Sequence, residues 1–264
     1  MLTTMNGKQI FHADGGIAFD PARPSVVFIH GAGMDHTVWT LFTRWFARNG
    51  HNVLALDLPG HGRSEGPAIP TVEGMADWVL AVLEARGIAQ ATLAGHSMGS
   101  LVALHAGGIA PERVGKLALL GFSYPMTVGK PLLEAARANS HEAIDMLMIW
   151  GHDGLAQIGG NAVPGMGIIT PIMRIVERAA PGVLFNDLHA CHTYQQGEAM
   201  ASRLQCPVTL ILGDRDRMTP LKGARAFMQN FQRCGLELIR ECGHGMMEER
   251  PEETWQALAK ALAA

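Results

Sequence analysis

The segment ATLAGHSMGS (residues 91–100) places one serine between two glycines, directly after an apolar run. The run at 91–95 is typical of a buried strand, and the residues after the serine are typical of a helix. So sharp a turn forces its central residue, Ser97, into a rare backbone conformation. Side chains two positions before and after it would collide, which Gly95 and Gly99 avoid. The segment therefore predicts a strand–turn–helix unit that exposes the Ser97 hydroxyl at a sheet edge.

Similar apolar runs recur along the whole chain. Their apolar residues are continuous rather than alternating, which is typical of strands buried on both faces of a parallel sheet. Helical patterns lie between several runs, so the sequence predicts an α/β fold. The predicted strands are VVFIH (26–30), VLALD (53–57), ATLAG (91–95), KLALLG (116–121), VTLILG (208–213) and LELIR (236–240).

The alternation of strand and helix breaks between residues 122 and 204. Helical stretches such as PLLEAARANSHEAIDMLMIW take over there, and the segment 151–167 is dense in glycine and proline, so we expect it to be a loop. These patterns predict a core domain formed by residues 1–121 and 205–264. Residues 122–204 are predicted to form a helical cap inserted over one end of the sheet.

Composition excludes several classes of function. The net charge of −3 gives no basic excess for binding nucleic acid. The sequence contains no run of about 18 uncharged apolar residues, so no membrane span is predicted, and the first residues lack the apolar core of a signal peptide. The four cysteines form no CxxC pair, which favours reduced thiols over disulfides or a zinc site. We therefore expect a cytoplasmic protein without a metal or cofactor; the oligomeric state stays open.

A serine hydroxyl is a weak nucleophile, so Ser97 requires a base and a carboxylate that orients the base. Two candidate acids, Asp214 and Asp216, follow the predicted strand 208–213. His244 lies on a glycine-flanked turn after the last predicted strand. The order serine, aspartate, histidine is the one expected for a nucleophile on a strand–helix elbow.

Together these motifs make the chain resemble the α/β-hydrolase superfamily over nearly its whole length. The resemblance implies a mostly parallel, twisted sheet flanked by helices, with a variable cap. In that family the acid usually lies three residues after the strand-ending glycine, which favours Asp216 over Asp214. The matching segments are HGAG (30–33), DLPGHGRS (57–64), GHSMG (95–99), GDRDRMTP (213–220) and GHGMMEERPEE (243–253).

The resemblance also implies roles for residues beside the triad. Backbone N–H groups of Ala32 and Met98 would bind the oxyanion of a tetrahedral intermediate. Trp39 and His96 are possible substrate-pocket residues, although packing roles are open for both. His30 and His61 are expected to hold loop backbone.

Other polar residues have simpler interpretations. Asp214 is expected to pair with Arg215 or Arg217, and Cys242 is expected to be inert. Surface positions are expected for the histidines between residues 122 and 204. These are His141, His152, His189 and His192. The charged run Glu248, Glu249, Arg250, Glu252 and Glu253 is expected to form a solvated helix start.

The sequence thus predicts a serine hydrolase that cleaves a small or medium, apolar carboxylic ester through an acyl-enzyme. Carbon–carbon bond hydrolysis, lactonase or perhydrolase activity on the same triad are alternatives, followed by acyl transfer or a non-enzymatic ligand receptor. Methionines in the predicted cap either fill a core or line an adaptable apolar pocket. They are Met126, Met146, Met148, Met166 and Met173.

Overall fold

The computed structural model describes residues 1–5, 7–160 and 167–263. An eight-stranded sheet has the order β1-β2-β4-β3-β5-β6-β7-β8. The pairs from β4 to β8 are parallel, and the β1-β2 and β2-β4 pairs are antiparallel. The strands are β1 (Leu2–Met5), β2 (Lys8–Ala13), β3 (Ser25–Ile29), β4 (Asn52–Leu56), β5 (Ala91–His96), β6 (Val114–Leu120), β7 (Val208–Gly213) and β8 (Cys234–Ile239).

Helices cover both faces of this sheet, each with its own apolar core. The helices near the core strands are α1 (Thr40–Arg48), α2 (Val72–Ala85), α3 (Met98–Ile109), α10 (Leu221–Phe227), α11 (Met246–Glu249) and α12 (Pro251–Ala263). Between β6 and β7 lie α4 (Lys130–Arg137), α5 (His141–Gly151), α6 (Gly154–Gln157), α7 (Ile169–Glu177), α8 (Val183–Thr193) and α9 (Gly197–Arg203).

All six predicted strands are present, and the predicted α/β class is confirmed. The sequence pattern missed β1 and β2. Residues in β1 alternate between exposed and half-buried positions, and only three residues of β2 are buried. Neither strand therefore carries the continuous apolar run that marks a strand buried on both faces.

In the described part of the segment between β6 and β7, helices are the only regular secondary structure. The expected loop at 151–167 is wrong in part, because α5 extends to Gly151 and α6 follows it. Residues 161–166, and with them Met166, lie outside the described residues. At the C-terminal end of this segment, α9 packs closely on α3. A Cβ on Gly108 in α3 would lie 2.8 Å from Met200 in α9. None of the described helices has the length and apolar character needed to cross a membrane.

The parallel topology brings the loops after β3, β5, β6, β7 and β8 to one edge of the sheet, because the carboxyl ends of parallel strands point the same way. Ser97 directly follows β5, and Asp216 and His244 follow β7 and β8. Residues far apart in sequence are thereby gathered at the position where open α/β sheets bind ligands.

Candidate active site

Ser97 forms the turn between β5 and α3. Its φ of 54° and ψ of −118° lie in a region that residues with side chains rarely adopt. A Cβ on Gly95 would lie 2.0 Å from the Gly99 carbonyl oxygen, and a Cβ on Gly99 would lie 2.3 Å from that of Ile29. Backbone atoms cannot move aside at such distances. The strained turn and its need for both glycines, predicted from the sequence, are confirmed.

The backbone of Ser97 is fixed while its side chain is accessible. Its N–H donates to the Leu120 carbonyl at 2.9 Å, and its carbonyl accepts from the Ser100 hydroxyl at 2.6 Å. The side chain lines a cavity together with His244. Among the described residues, the Ser97 hydroxyl forms no hydrogen bond, so it is free to turn toward a ligand or the His244 ring.

The loop after β3 approaches Ser97 closely. A Cβ on Gly31 would lie 3.3 Å from Ser97 Cβ, and Ala32 lines the same cavities as Ser97. Met34 N–H donates to the Gly31 carbonyl at 3.2 Å, which closes a turn around Ala32. On the other side, Met98 is the first residue of α3, where backbone N–H groups lack acceptors within the helix. Ala32 and Met98 thus both lie beside Ser97, where the oxyanion donors are predicted.

Asp216 is the acid that contacts His244. Its Oδ2 accepts a hydrogen bond from His244 Nδ1 at 2.7 Å and another from the Thr219 hydroxyl at 2.6 Å. Its Oδ1 accepts from the N–H groups of Met218 and Thr219, both at 2.8 Å. Burial alone would raise the pKa of Asp216, but the His244 ring and Thr219 hold it below its usual value. The sequence analysis missed Thr219.

Asp214 faces away from this pair. Its Oδ2 lies 3.6 Å from a guanidinium nitrogen of Arg240, and its Oδ1 accepts a hydrogen bond from Cys242 N–H at 3.4 Å. The expected pairing with Arg215 or Arg217 is wrong, because Arg215 instead reaches Asp153 at 3.0 Å. The choice of Asp216 over Asp214 therefore agrees with the geometry.

The His244 ring lies over Gly121, at the end of β6. A Cβ on Gly121 would come within 2.8 Å of His244 Cε1, so a side chain there would displace the ring. The His244 backbone is held from two sides. Its N–H donates to the Gly151 carbonyl at 2.8 Å, and its carbonyl accepts from His96 Nε2 at 2.9 Å. Burial, and then the neighbouring His244, lowers the pKa of His96 to about 3, so the His96 ring is neutral.

The two residues predicted as possible pocket residues differ in position. His96 lines the cavity at Ser97 and also holds the His244 backbone. Trp39 is fully buried, with its ring stacked on Phe28 at 4.9 Å and edge-on to Phe42 at 5.8 Å. Its large apolar ring packs in the core formed with α1, so of the two roles left open for Trp39 the geometry supports packing.

His30 holds loop backbone, as expected, and Cys242 is an unreactive thiol. His30 Nδ1 donates to the Gly31 carbonyl at 2.8 Å, and its Nε2 accepts from Leu58 N–H at 3.2 Å. Burial lowers the pKa of His30 to about 4, which keeps this ring neutral. Burial also raises the pKa of the Cys242 thiol, so the thiol stays protonated and a poor nucleophile, as expected.

Ser97 and His244 lie where two cavities meet. One, the Trp150 arm, has a volume of about 160 Å³ and is lined by Met126, Leu132 and Trp150. The other, the His152 arm, has a volume of about 50 Å³ and is lined by His152, Gly245 and Glu248 among apolar residues. Ala32, Ser97, Leu188, Met218 and His244 line both arms.

Three side chains expected at the surface are withdrawn from solvent near the site, His152 and Glu249 fully and Glu248 in part. His152 is 5% exposed, which contradicts its expected surface position. Glu248 lines the His152 arm, and Oε2 of buried Glu249 accepts from the N–H groups of Asp153 and Gly243 at 3.0 and 3.1 Å. The solvated helix start is therefore wrong for these two glutamates. Their charges predicted exposure to solvent. Both lie in the short α11, which places Glu249 against Gly243 and Glu248 beside the cavity that His244 lines.

Asp35, His36 and Asp57 place three potential metal-ligand atoms within 4.8 Å of one another. Each group already has a partner. His36 Nδ1 donates to Asp57 at 2.8 Å, and Asp35 accepts from Thr37 N–H at 2.9 Å. Asp57 also accepts from Arg63 N–H at 2.8 Å. The cluster ties the loops after β3 and β4 together, and these bonds explain it without an ion.

Known proteins are similar to this chain in sequence or in fold. The chain is 29% identical over 252 residues to a pimeloyl-(acyl-carrier protein) methyl ester esterase from Chromobacterium violaceum, covering 90% of this chain and 94% of that protein. An acetyltransferase component of the acetoin cleaving system from Pseudomonas putida is 43% identical over 96 residues, which is 26% of its length. The enol-lactonase from Burkholderia xenovorans LB400 superposes over 100% of both chains with a TM-score of 0.87 and 19% identity, which shows a common fold.

The family model described as "Alpha/beta hydrolase family" matches residues 26–257, which is most of the chain. Ester hydrolysis, predicted from the sequence, agrees with the name of the first relative. On this evidence the chain belongs to the alpha/beta hydrolase family.

Proposed function

We propose that this protein hydrolyses esters of small or medium, apolar carboxylic acids through an acyl-enzyme on Ser97. The observation that carries the proposal is the strained Ser97 turn, which shares both arms of the cavity with His244, whose ring is hydrogen-bonded to Asp216. A backbone strain of this kind costs of order 1–3 kcal/mol and persists mainly where function requires it.

In the first half of the reaction, His244 Nε2 takes the hydroxyl proton of Ser97 as Oγ attacks the ester carbonyl carbon. The N–H groups of Ala32 and Met98 donate to the resulting oxyanion. The carbon–oxygen bond to the alcohol then breaks, and His244 returns its proton to the leaving oxygen. The products of this half are the free alcohol and an ester between Ser97 and the acyl group.

In the second half, water replaces the alcohol. His244 removes a proton from the water, whose oxygen attacks the acyl carbon, and Ser97 leaves with that proton. Asp216 keeps the proton of His244 on Nδ1, which leaves Nε2 as the base, and it stabilises the charged ring. The carboxylic acid is then released and the enzyme is regenerated.

The size of the Trp150 arm supports a small or medium acyl group. Its volume of about 160 Å³ equals the liquid volume of roughly five water molecules. Met126 lines this arm and Met148 lines the other, so two of the five methionines of residues 122–204 named above face the cavity. We propose that residues 122–204 act as a cap, since Leu132, Trp150 and Leu188 come from its helices.

Steady-state hydrolysis of p-nitrophenyl esters, from acetate to decanoate, tests this proposal. We expect Ser97→Ala to lower kcat by about 10³-fold or more. The exposed Ser202→Ala is the matched control and should keep wild-type activity. We expect kcat/KM to fall beyond medium chain length as the arm fills. Undiminished turnover by Ser97→Ala would refute the proposal, and a lack of turnover on every ester would favour a lactone or carbon–carbon substrate.

A further inference from the structure

The His152 arm holds two polar side chains that the reaction above does not use. His152 Nε2 and Glu248 Oε1 are both buried and have no hydrogen-bond partner among the described residues. Both side chains line the cavity that contains Ser97 and His244. An unpaired buried polar group is unfavourable, so a pair of them facing one small cavity points to a ligand that satisfies both.

The hydrogen bonds of His152 define what its free nitrogen can do. Nδ1 lies 3.0 Å from the Met148 carbonyl and must donate to it, because a carbonyl oxygen only accepts. Burial lowers the pKa of His152, so the ring is neutral and carries its one proton on Nδ1. Nε2 therefore presents a lone pair to the cavity, and it requires a donor from the ligand.

Glu248 has the opposite character. Burial raises its pKa to about 8, so at neutral pH the carboxyl group carries a proton and can donate a hydrogen bond. The two groups flank the residue that follows His244. A Cβ on Gly245 would lie 2.7 Å from His152 Nε2 and 3.2 Å from Glu248 Oε2. An acceptor and a donor thus face one small space beside the catalytic histidine.

A hydroxyl group is the ligand that fits this pair, because it donates and accepts at the same oxygen. The arm's volume of about 50 Å³ is roughly that of one or two water molecules in the liquid, so only a short group enters. We propose that the His152 arm binds a short, uncharged hydroxyl-bearing part of the ester, whose O–H donates to His152 Nε2 and accepts from Glu248. This inference rests on the proposed ester hydrolysis and specifies its substrate.

The alternatives to a hydroxyl satisfy the arm less well. A methyl group of the same size leaves both His152 Nε2 and Glu248 unpaired. A carboxylate would place a negative charge beside the lone pair of His152 Nε2, and no hydrogen bond could form because both groups only accept. Sites built to bind a substrate hydroxyl discriminate strongly against analogues that lack it. The hydroxyl should therefore raise kcat/KM, whichever side of the ester carries it.

Two matched pairs of esters test this and locate the hydroxyl. Propyl butanoate and 2-hydroxyethyl butanoate differ by a methyl-to-hydroxyl change in the alcohol, and ethyl butanoate and ethyl 3-hydroxypropanoate differ likewise in the acyl group. After correction for alkaline hydrolysis rates, we expect one hydroxyl member to be preferred at least tenfold in kcat/KM. In Glu248→Leu the preference should fall to near one, whereas Glu248→Gln, which keeps a donor, should retain most of it. Exposed Glu253→Leu is the matched control and should retain it fully.

The wild-type ratios need no variant, so a failure of Glu248→Leu to fold leaves the test intact. Ratios near or below one for both pairs, alongside Ser97-dependent hydrolysis of ethyl butanoate, overturn the hydroxyl site and leave the esterase proposal standing. A preference that survives unchanged in Glu248→Leu overturns the role of that residue. No turnover of any ester by folded wild-type protein overturns both proposals.

Discussion

Asp187 and His61, 126 positions apart in sequence, form a buried ion pair with 2.8 Å between Oδ2 and Nε2. The same Asp187 oxygen accepts from Gly33 N–H at 2.9 Å. The other ring nitrogen of His61 lies 3.1 Å from the Pro59 carbonyl, so both nitrogens face acceptors. Burial alone would lower the pKa of His61, but Asp187 raises it above the usual value. One carboxylate in α8 thereby holds two loops, including the one that contains Ala32.

Asp187→Asn should therefore weaken both folding and catalysis. Removing one partner of a buried ion pair typically costs about 3 kcal/mol or more, so the free energy of unfolding should fall by that order. We expect kcat to fall as well, because Gly33 loses its charged acceptor next to Ala32. Asp145→Asn, which breaks an exposed pair with His141, should leave the free energy of unfolding close to that of wild type. Urea unfolding measures the free energy of unfolding of both variants, and steady-state kinetics measures kcat. Equal losses of stability in Asp187→Asn and Asp145→Asn would contradict the proposed role of Asp187 in holding the two loops.

Gly95→Ala should prevent formation of the Ser97 turn. The added Cβ would meet the Gly99 carbonyl oxygen at 2.0 Å, and the strand and helix that meet there are both buried. We expect loss of folded protein, or a folded remnant without esterase activity. At Gly154 a Cβ meets nothing within 4 Å, so Gly154→Ala is the control and should unfold at the wild-type temperature. An active, stable Gly95→Ala protein would disprove the steric account.

Asp216→Asn and Asp214→Asn separate the two acids. Replacing Asp216 removes the acceptor that fixes the His244 tautomer, so kcat should fall by about 10³–10⁴-fold. Asp214 bonds to Cys242 N–H and lies near Arg240, outside the cavity, so its variant should stay within about threefold of wild type. Steady-state kinetics on one ester suffices. A larger loss from Asp214→Asn would reverse the assignment.

His12 should make the protein sensitive to acid. The ring is 1% exposed, and neither of its nitrogens has a partner among the described residues. Burial lowers its pKa to about 4, whereas an unfolded histidine titrates near about 6.5. Between these values the unfolded state binds the extra proton, so stability falls as the pH falls through this window.

His12→Leu removes this titration. The stability gained over wild type should be larger at pH 5 than at pH 7 by about 2 kcal/mol, because one proton is worth about 1.36 kcal/mol per pH unit. Urea unfolding at both pH values measures this difference. A gain that is the same at pH 5 and pH 7 would show that His12 does not titrate in this range.

The parallel part of the fold could be predicted from the sequence because strands buried on both faces leave continuous apolar runs, as in β3 and β7. The Ser97 turn could also be predicted, since its glycines are required by local backbone sterics. The strands β1 and β2 at one end of the sheet could not, because they bury few residues and carry no continuous apolar run.

The surroundings of the site were less predictable than its central residues. Asp187, His152 and Glu248 are polar, and nothing in their immediate sequence indicates burial. Asp187 and His152 are buried, and Glu248 half-buried, by contacts across the fold, such as the Asp187–Gly33 hydrogen bond that links residues 154 positions apart. For Trp39 the sequence left a packing role and a pocket role open, because its place beside the Ala32 loop in sequence does not say which way its ring turns.

Formation of the acyl-enzyme on Ser97 is the central claim, and rapid mixing with a p-nitrophenyl ester tests it most directly. We expect a burst of about one p-nitrophenolate per enzyme molecule whenever deacylation is slower than acylation. Mass spectrometry of the acid-quenched protein should then find the acyl group on the peptide that contains Ser97, and on no peptide of Ser97→Ala. A burst without any covalent adduct, or an adduct on another residue, would contradict the account.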